Sequence, residues 1–159
     1  MSDEHLNGIE DGDEEVLAED LLECLRANSI AMFLATIRFL EERQIPVGEW
    51  IATLGATYVN GWDLSQEWTP ETFLEDILYN LEAFGGEAVE TEYSDDTARA
   101  VIDRFPDPER VEYLGLEDID GELIFDVIRP IAAACGFDWS WRRDGDRVVV
   151  EVVRSQGDS

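Results

Sequence analysis

Hydrophobic residues spaced three and four apart dominate the first half of the chain, which predicts helices there. The first helical pattern covers residues 14–44, where Asn28-Ser29 could kink it or divide it into two helices, and Pro46 ends it. A second helix is predicted at 47–60, with Gly55 inside it at a cost of about 1 kcal/mol unless another backbone approaches closely. Its aromatic and apolar stripe repeats every fourth residue, at Trp50, Leu54, Tyr58 and Trp62.

The third helix has the clearest boundaries in the chain. Thr69 suits the N-cap, Pro70 suits the first helical position, and Glu71 places a carboxylate in the first turn. Gly85-Gly86 ends the helix, so we predict it over residues 70–84.

After Gly86 the period changes from helical to alternating. Residues 87–93 alternate, Ser94-Asp95-Asp96 forms a turn, and 97–105 alternates again, which predicts a β-hairpin. The second segment could instead be a short helix capped by Ser94. Residues 109–119 remain ambiguous, with a helical turn as one interpretation.

The last third of the chain predicts a helix followed by a second hairpin. The helix covers about 121–135, and Pro130 should kink or break it. Phe137, Trp139 and Trp141 then alternate with polar residues, Asp144-Gly145 supplies a type I′ turn, and residues 147–153 return as the second strand.

These elements predict one α+β domain at residues 14–154, with acidic disordered residues 1–13 before it and a tail at 155–159. A helical half, 14–84, packs on one face of a four-stranded antiparallel sheet, which the hairpin-helix-hairpin half, 86–154, supplies.

Composition indicates the solvent in which the protein is stable rather than its fold. The chain contains no lysine, and its 11 arginines face 38 Asp and Glu, for a net charge of −27 on 159 residues. Such self-repulsion destabilises a compact state in dilute buffer but is screened at molar salt. We therefore expect a halophilic, most plausibly haloarchaeal, protein. Charges interrupt every apolar run and the first residues are acidic, so we expect a cytoplasmic protein without a membrane span or secretory signal.

The residue inventory excludes several chemistries. The only histidine, His5, lies in the predicted tail, which disfavours Ser-His and Cys-His nucleophiles and haem ligation and excludes His/Cys zinc sites. Without lysine, neither a P-loop nor a Schiff base can form. Cys24 and Cys135 are predicted to be small buried hydrophobes. Residues 118–122 resemble a calcium loop, but Leu123 occupies the position that requires glycine, so a helix N-cap is the better interpretation. We predict neither a metal nor a cofactor.

Two sets of residues are candidates for binding. Four arginines around the final hairpin could hold an anion or another partner, or could simply pair with the neighbouring Asp138, Asp144, Asp146 and Glu151; they are Arg142, Arg143, Arg147 and Arg154. Aromatic side chains could line a ligand pocket, although core packing or a subunit interface would also explain them. This second set consists of Trp50, Tyr58, Trp62, Trp139 and Trp141, with Trp68 nearby.

The order of elements over residues 86–154 resembles that of the small α/β ligand-binding domains of the vinyl-reductase-like and haem-NO-binding type. The resemblance implies a sensor or adaptor domain, often dimeric. It transfers no functional residue, because the family's cysteine-bearing segment and haem-ligand histidine have no counterpart here.

The function we predict is therefore non-enzymatic: a regulatory, adaptor or ligand-binding domain. We expect its partner to be another protein or a second copy of the chain bound through the helical half, and a small molecule could be its ligand. One alternative is a transcription regulator with a helix-turn-helix at 47–84. The absence of Arg, Lys and Gln from helix 70–84 disfavours nucleic acid as a partner. The other alternative is an enzyme that uses carboxylates and a divalent metal.

Overall fold

The computed structural model describes residues 11–156, with side chains from Val16 onward, as an α+β fold. Most of the predicted tail 1–13 and the last three residues lie outside that range; α1 begins at Asp11, within the predicted tail. The elements in chain order are α1 (Asp11–Glu42), α2 (Val47–Val59), α3 (Pro70–Glu82), β1 (Glu87–Tyr93), β2 (Thr97–Asp103), α4 (Pro108–Tyr113), a 3-10 helix (Gly121–Ile128), α5 (Arg129–Ala134), β3 (Phe137–Asp144) and β4 (Arg147–Arg154).

The sheet is antiparallel throughout and has the strand order β1-β2-β4-β3. The two predicted hairpins therefore meet through their second strands, and residues 97–103 form a strand rather than the alternative helix. Along the β2–β4 junction, small and β-branched residues face each other in the core, and all of them are fully buried. They pair as Ala98 with Val152, Ala100 with Val150, and Ile102 with Val148.

α3 lies against the inner face of this sheet through its buried residues Phe73, Leu74, Ile77 and Leu81. It begins as its sequence predicts, with Pro70 in the first turn after the Thr69 N-cap. Thr72 completes a capping box by accepting a hydrogen bond from the backbone N–H of Thr69, a role that glutamate or glutamine more often plays.

α1 is one continuous helix, so Asn28-Ser29 neither splits nor breaks it. Its C-terminal part is anchored by Ile30, Phe33, Leu34 and Ile37, which are all buried. From residue 16 to residue 25, in contrast, every side chain is exposed. The first half of α1 therefore lies on the surface, where Glu23 pairs with Arg110 of α4.

The predicted helix at 121–135 is instead a 3-10 helix that passes into the short α5 at Arg129. Pro130 explains the change, because it lacks an N–H and its ring opposes continuation of a preceding α-helix. α2 packs closely on this junction. A Cβ at Gly55 would lie only 2.4 Å from the carbonyl oxygen of Val127, so the expected close backbone approach is present.

The cysteine prediction is wrong for Cys24, which is exposed because it lies in the exposed first half of α1. Cys135 is half-buried, and burial raises the pKa of its thiol. Both thiols are free. Within residues 11–156, no helix is long and apolar enough to cross a membrane.

Candidate functional site: an uncharged aromatic groove

A groove of about 610 Å³ opens between α1, α2 and α3. The 3-10 helix and α5 form its floor with the aliphatic side chains of Ile124, Val127, Ile128 and Ile131. Its walls combine four residues of α1, three of α2, three of α3, and four from the segments that follow α2 and α3. They are Ser29, Met32, Phe33, Thr36, Trp50, Leu54, Tyr58, Gly61, Trp62, Ile77, Asn80, Leu81, Ala83 and Phe84.

Aromatic contacts hold the walls in place. The rings of Phe33 and Trp50 lie 5.3 Å apart across the α1–α2 side. Trp62 contacts both Trp68 and Phe73, at centroid distances of 5.1 Å and 5.3 Å. The Trp68 indole N–H in turn donates to the carbonyl oxygen of Asp63, at 2.9 Å. Ring contacts at these distances are favourable, so the aromatic wall is supported by the core behind it.

None of the residues that line the groove carries a charge, although 31% of the chain is charged. Its few polar side chains are partly committed within their own helices. The Thr36 hydroxyl donates to the Met32 carbonyl at 2.7 Å, and the Asn80 amide donates to the Asp76 carbonyl at 2.7 Å. The groove therefore offers mainly aromatic and aliphatic surface to whatever enters it.

The structure brings together three of the five aromatic residues that the sequence placed in a ligand site. Trp50, Tyr58 and Trp62 line the groove because the four-residue spacing puts them on one side of α2 and its C-terminal extension. Trp139 and Trp141 are not part of it.

Both of these tryptophans pack instead between the sheet and the 3-10 helix. Trp139 is buried, and its indole N–H donates to the carbonyl oxygen of Phe125 at 2.8 Å. Trp141 is half-buried and donates to Oδ1 of Asp126, also at 2.8 Å. Because they alternate along β3, both tryptophans face the core, as expected. The part of the core that they reach is behind the 3-10 helix and is not the groove.

Sequence reasoning missed the contributions of α1 and α3 to the groove. Met32 and Phe33 come from α1, while Ile77 and Phe84 come from α3 and the residues just after it. All four belong to apolar helical stripes, which indicated burial but not which helices would leave a gap between them.

The arginine candidates do not form a single cluster. Arg142, Arg143 and Arg147 lie near the β3–β4 turn, whereas Arg154 is at the far end of β4, roughly 23 Å away for seven residues of strand. Each of the four is paired with at least one carboxylate. The partners are Asp144 for Arg142, Glu122 for Arg143, Glu90 and Asp103 for Arg147, and Asp96 for Arg154.

Of the four acids that the sequence offered as ion-pair partners, only Asp144 pairs with one of these arginines. The other partners come from β1, β2, the β1–β2 turn and the 3-10 helix, because β4 lies beside β2 in the sheet. Arg154 also lies 5.8 Å from the centre of the Phe137 ring. Neutralised and separated in this way, the four arginines present no concentrated positive surface.

The segment 118–122 lies away from the groove and takes part in chain contacts. Asp118 accepts a hydrogen bond from Arg38 at 2.7 Å, and Asp120 occupies the N-cap position of the 3-10 helix without a side-chain capping bond. Across the described part of the chain, no group of three or more His, Cys, Asp and Glu side chains is arranged to hold a metal ion.

No family model, curated protein or solved structure matches this chain. The layout resemblance of residues 86–154 therefore stays a prediction, and the groove has to be interpreted from its own chemistry.

Proposed function

We propose that this protein is a non-enzymatic ligand-binding domain whose groove takes a neutral, largely apolar small molecule. The observation that carries the proposal is the uncharged lining of the groove in a chain of net charge −27. Burying a charged ligand group there without a partner would cost several kcal/mol, so the lining selects against ionic ligands.

The size and shape of the groove support a ligand of drug-like dimensions. Its volume of about 610 Å³ falls within the roughly 300–1,000 Å³ of ordinary small-molecule pockets. Trp50 and Trp62 provide flat surfaces on which a planar ring or a branched aliphatic chain can pack. The aliphatic floor below them adds dispersion contacts without any hydrogen-bond requirement.

The setting that we propose is the cytoplasm of a halophilic archaeon, where the protein serves a regulatory or adaptor role. Molar salt screens the repulsion among its 38 carboxylates and strengthens the case for an apolar binding mode, because salt weakens interactions between exposed charges. Alongside the ligand, we propose that a second copy of the chain is its partner.

The arrangement of α2 and α3 gives the transcription-regulator alternative no support. Residues 60–69 connect the two helices, whereas the helix-turn-helix motif uses a turn of about three or four residues. α3 also packs its apolar side on the sheet and carries no basic residue with which to contact DNA.

Titration with a neutral fluorescent probe, N-phenyl-1-naphthylamine, in molar KCl tests the proposal. The probe should bind saturably and become brighter as it leaves water. Tyr58→Glu places a carboxylate at the groove, and we expect it to weaken probe binding about 10-fold or more. Tyr58 is already 46% exposed, so the substitution should leave folding intact.

Tyr79→Glu is the matched control. Tyr79 is on α3, is 76% exposed, and does not line the groove, so this variant adds the same charge elsewhere. Equal binding by the wild type, the Tyr58 variant and the Tyr79 variant would contradict the proposal, as would binding that never saturates.

A further inference from the structure

α1 carries a second apolar face, which is exposed. The residues along this face are separated alternately by three and four positions, which is the heptad pattern of a coiled-coil seam. Its larger members are 49–72% exposed even though they are leucine, methionine and phenylalanine. We call these seven residues the seam: Ala18, Leu21, Leu25, Asn28, Met32, Ala35 and Phe39.

The seam lies on the opposite side of α1 from the residues that anchor the helix in the core. At 100° per residue, Leu25 and Met32 point roughly 120–160° away from Ile30 and Ile37. The anchor residues are buried, at 2% and 0% exposed, whereas Met32 is 72% exposed. The apolar residues of the seam are therefore not required by the fold of the single chain.

The positions that flank the seam are free of acidic residues over the same length. This is unusual for an exposed surface here, because 38 of the 159 residues are Asp or Glu. The flanking residues are Leu17, Leu22, Cys24, Ser29, Ala31, Thr36 and Arg38. Acidic side chains return only at the other positions of the helix, such as Glu19 and Glu23.

We propose that the seam binds the seam of a second copy of this chain and forms a homodimer. A heptad stripe is complementary to another helix with the same period, and an identical helix meets that condition over the whole length. A membrane surface is a poor alternative occupant, because helices that lie on membranes carry Lys and Arg on their polar face. Here the polar face of the first half of α1 carries Glu19, Asp20 and Glu23 instead.

The charge distribution along α1 favours an antiparallel order of the two helices, an effect that molar salt reduces. Acids are concentrated in its first 13 residues, 11–23, which contain no arginine. The rest of α1 contains Arg26 and Arg38, and its only acids are Glu41 and Glu42 in the last two positions. Antiparallel pairing places each acidic half beside an arginine-bearing half, whereas parallel pairing would place the two acidic halves side by side.

The seam, its flanking positions and the rim of the groove together approach the lower end of a standard interface. A standard interface buries about 800 Å² on each partner, with roughly 20–30 residues a side. The seven seam residues and seven flanking residues supply about half of these. Ser29, Met32 and Thr36 also belong to the groove wall, so a helix on the seam would border the groove and contact its rim at Tyr58 and Phe84.

In this arrangement the second copy would partly cover the open side of the groove. A role for this covering in binding rests on the proposed ligand-binding function, whereas pairing of the two seams does not. Covering the groove would shield a bound apolar ligand from water, which links dimerisation to tighter binding.

Leu25→Glu tests the dimer by light scattering and sedimentation in molar KCl. The wild type should have twice the chain mass of 18.0 kDa. Because a buried leucine is replaced twice in a symmetric dimer, we expect the variant to dissociate about 100-fold more readily and to sediment as a monomer. Val16→Glu is the matched control: it adds the same charge to an exposed position of the same helix, off the seam.

A wild type that stays at 18.0 kDa, or a Leu25→Glu variant that stays dimeric, would overturn the proposal. Orientation is tested separately by oxidising Leu21→Cys in a Cys24→Ser background. In the antiparallel order the two new thiols lie far apart and should not cross-link, whereas a rapidly formed disulfide-linked dimer would overturn that order.

Probe titration of the monomeric Leu25→Glu variant separates the two proposals. Saturable but weaker probe binding by the monomer supports both the groove and its covering by the partner. A dimeric wild type that binds no probe would contradict the proposed ligand site and support the dimer. A monomeric wild type that binds the probe would support the ligand site and contradict the dimer.

Discussion

Gly55→Ala tests how closely α2 packs on the floor of the groove. A Cβ at this position would lie 2.4 Å from the Val127 carbonyl oxygen and 2.9 Å from Cγ of Pro130. Contacts under 3.0 Å are essentially absent from real structures, so α2 or the floor must move by more than half an ångström. Neither neighbour can rotate away, because one is a backbone atom and the other belongs to a proline ring.

Two effects of opposite sign decide the result. Alanine in place of glycine in a helix interior favours the folded state by about 1 kcal/mol. Overpacking of a close contact costs typically 1–3 kcal/mol, and an immobile neighbour places this site at the upper end, about 3 kcal/mol. We therefore expect a net loss of about 2 kcal/mol in the free energy of unfolding, or roughly 4–8 °C in Tm for a domain of this size.

Thermal unfolding followed by circular dichroism in molar KCl measures the effect. Gly48→Ala is the matched control, because Gly48 is also in α2 and a Cβ there would meet nothing within 4 Å. We expect this variant to be as stable as the wild type or up to about 1 kcal/mol more stable. If Gly55→Ala melts at or above the wild-type temperature, the close packing of α2 on the floor is wrong.

Two further predictions concern the core and the solvent. Trp139→Phe should lower the free energy of unfolding by about 1–3 kcal/mol, because it leaves the buried Phe125 carbonyl without its donor. Trp141→Phe should lower it by less, since the Asp126 carboxylate that accepts from Trp141 keeps contact with water. Equal losses for the two variants in a denaturation series would contradict this. Raising KCl from about 0.1 M into the molar range should raise Tm, because the Debye length falls from about 10 Å to about 3 Å or less; a Tm unchanged by salt would argue against a halophilic protein.

Local signals in the sequence were sufficient where local contacts determine the structure. The start of α3 depends on Thr69, Pro70 and Thr72, which lie within four residues of one another. Thr69 and Thr72 satisfy each other's backbone N–H groups, and Pro70 fixes a φ that suits the first turn. The β3–β4 hairpin was predicted from Gly145 in the same local way, but its turn residues are Gly145-Asp146 rather than Asp144-Gly145, because Asp144 still pairs with Arg147. Only Gly145 has a positive φ, of 63°, so the turn is not of the predicted type I′, which needs a positive φ at both central residues. Such elements can be predicted because no distant part of the chain competes with them.

The strand order could not be predicted, because the pairing of β2 with β4 joins segments about fifty residues apart. Ala100 and Val150 show that both strands are buried, but nothing in their own neighbourhoods specifies that they face each other. The same junction brings Asp103 to Arg147, at 3.3 Å, in place of the nearby acids that the sequence offered.

The groove was predictable on one side only. The i, i+4 spacing of Trp50, Tyr58 and Trp62 placed them on one face of a helix, and all three line it. Grouping them with Trp139 failed because alternation along β3 fixes only the face to which a side chain points, and not which helix covers that part of the sheet. Here the 3-10 helix covers it, and its Phe125 carbonyl accepts the indole hydrogen bond.

An equilibrium titration of the wild-type protein with N-phenyl-1-naphthylamine in molar KCl tests the central claim most directly. Excitation of tryptophan reports the approach of the probe, since Trp50 and Trp62 are in the groove wall, and the Tyr58→Glu variant shows whether the groove is the site. We predict one saturable site per chain, with tryptophan emission falling as probe emission rises, and with both changes moved to about 10-fold higher probe concentration or more in Tyr58→Glu. A linear, unsaturable response, or a saturable one that Tyr58→Glu leaves unchanged, would contradict a ligand-binding groove between α1, α2 and α3.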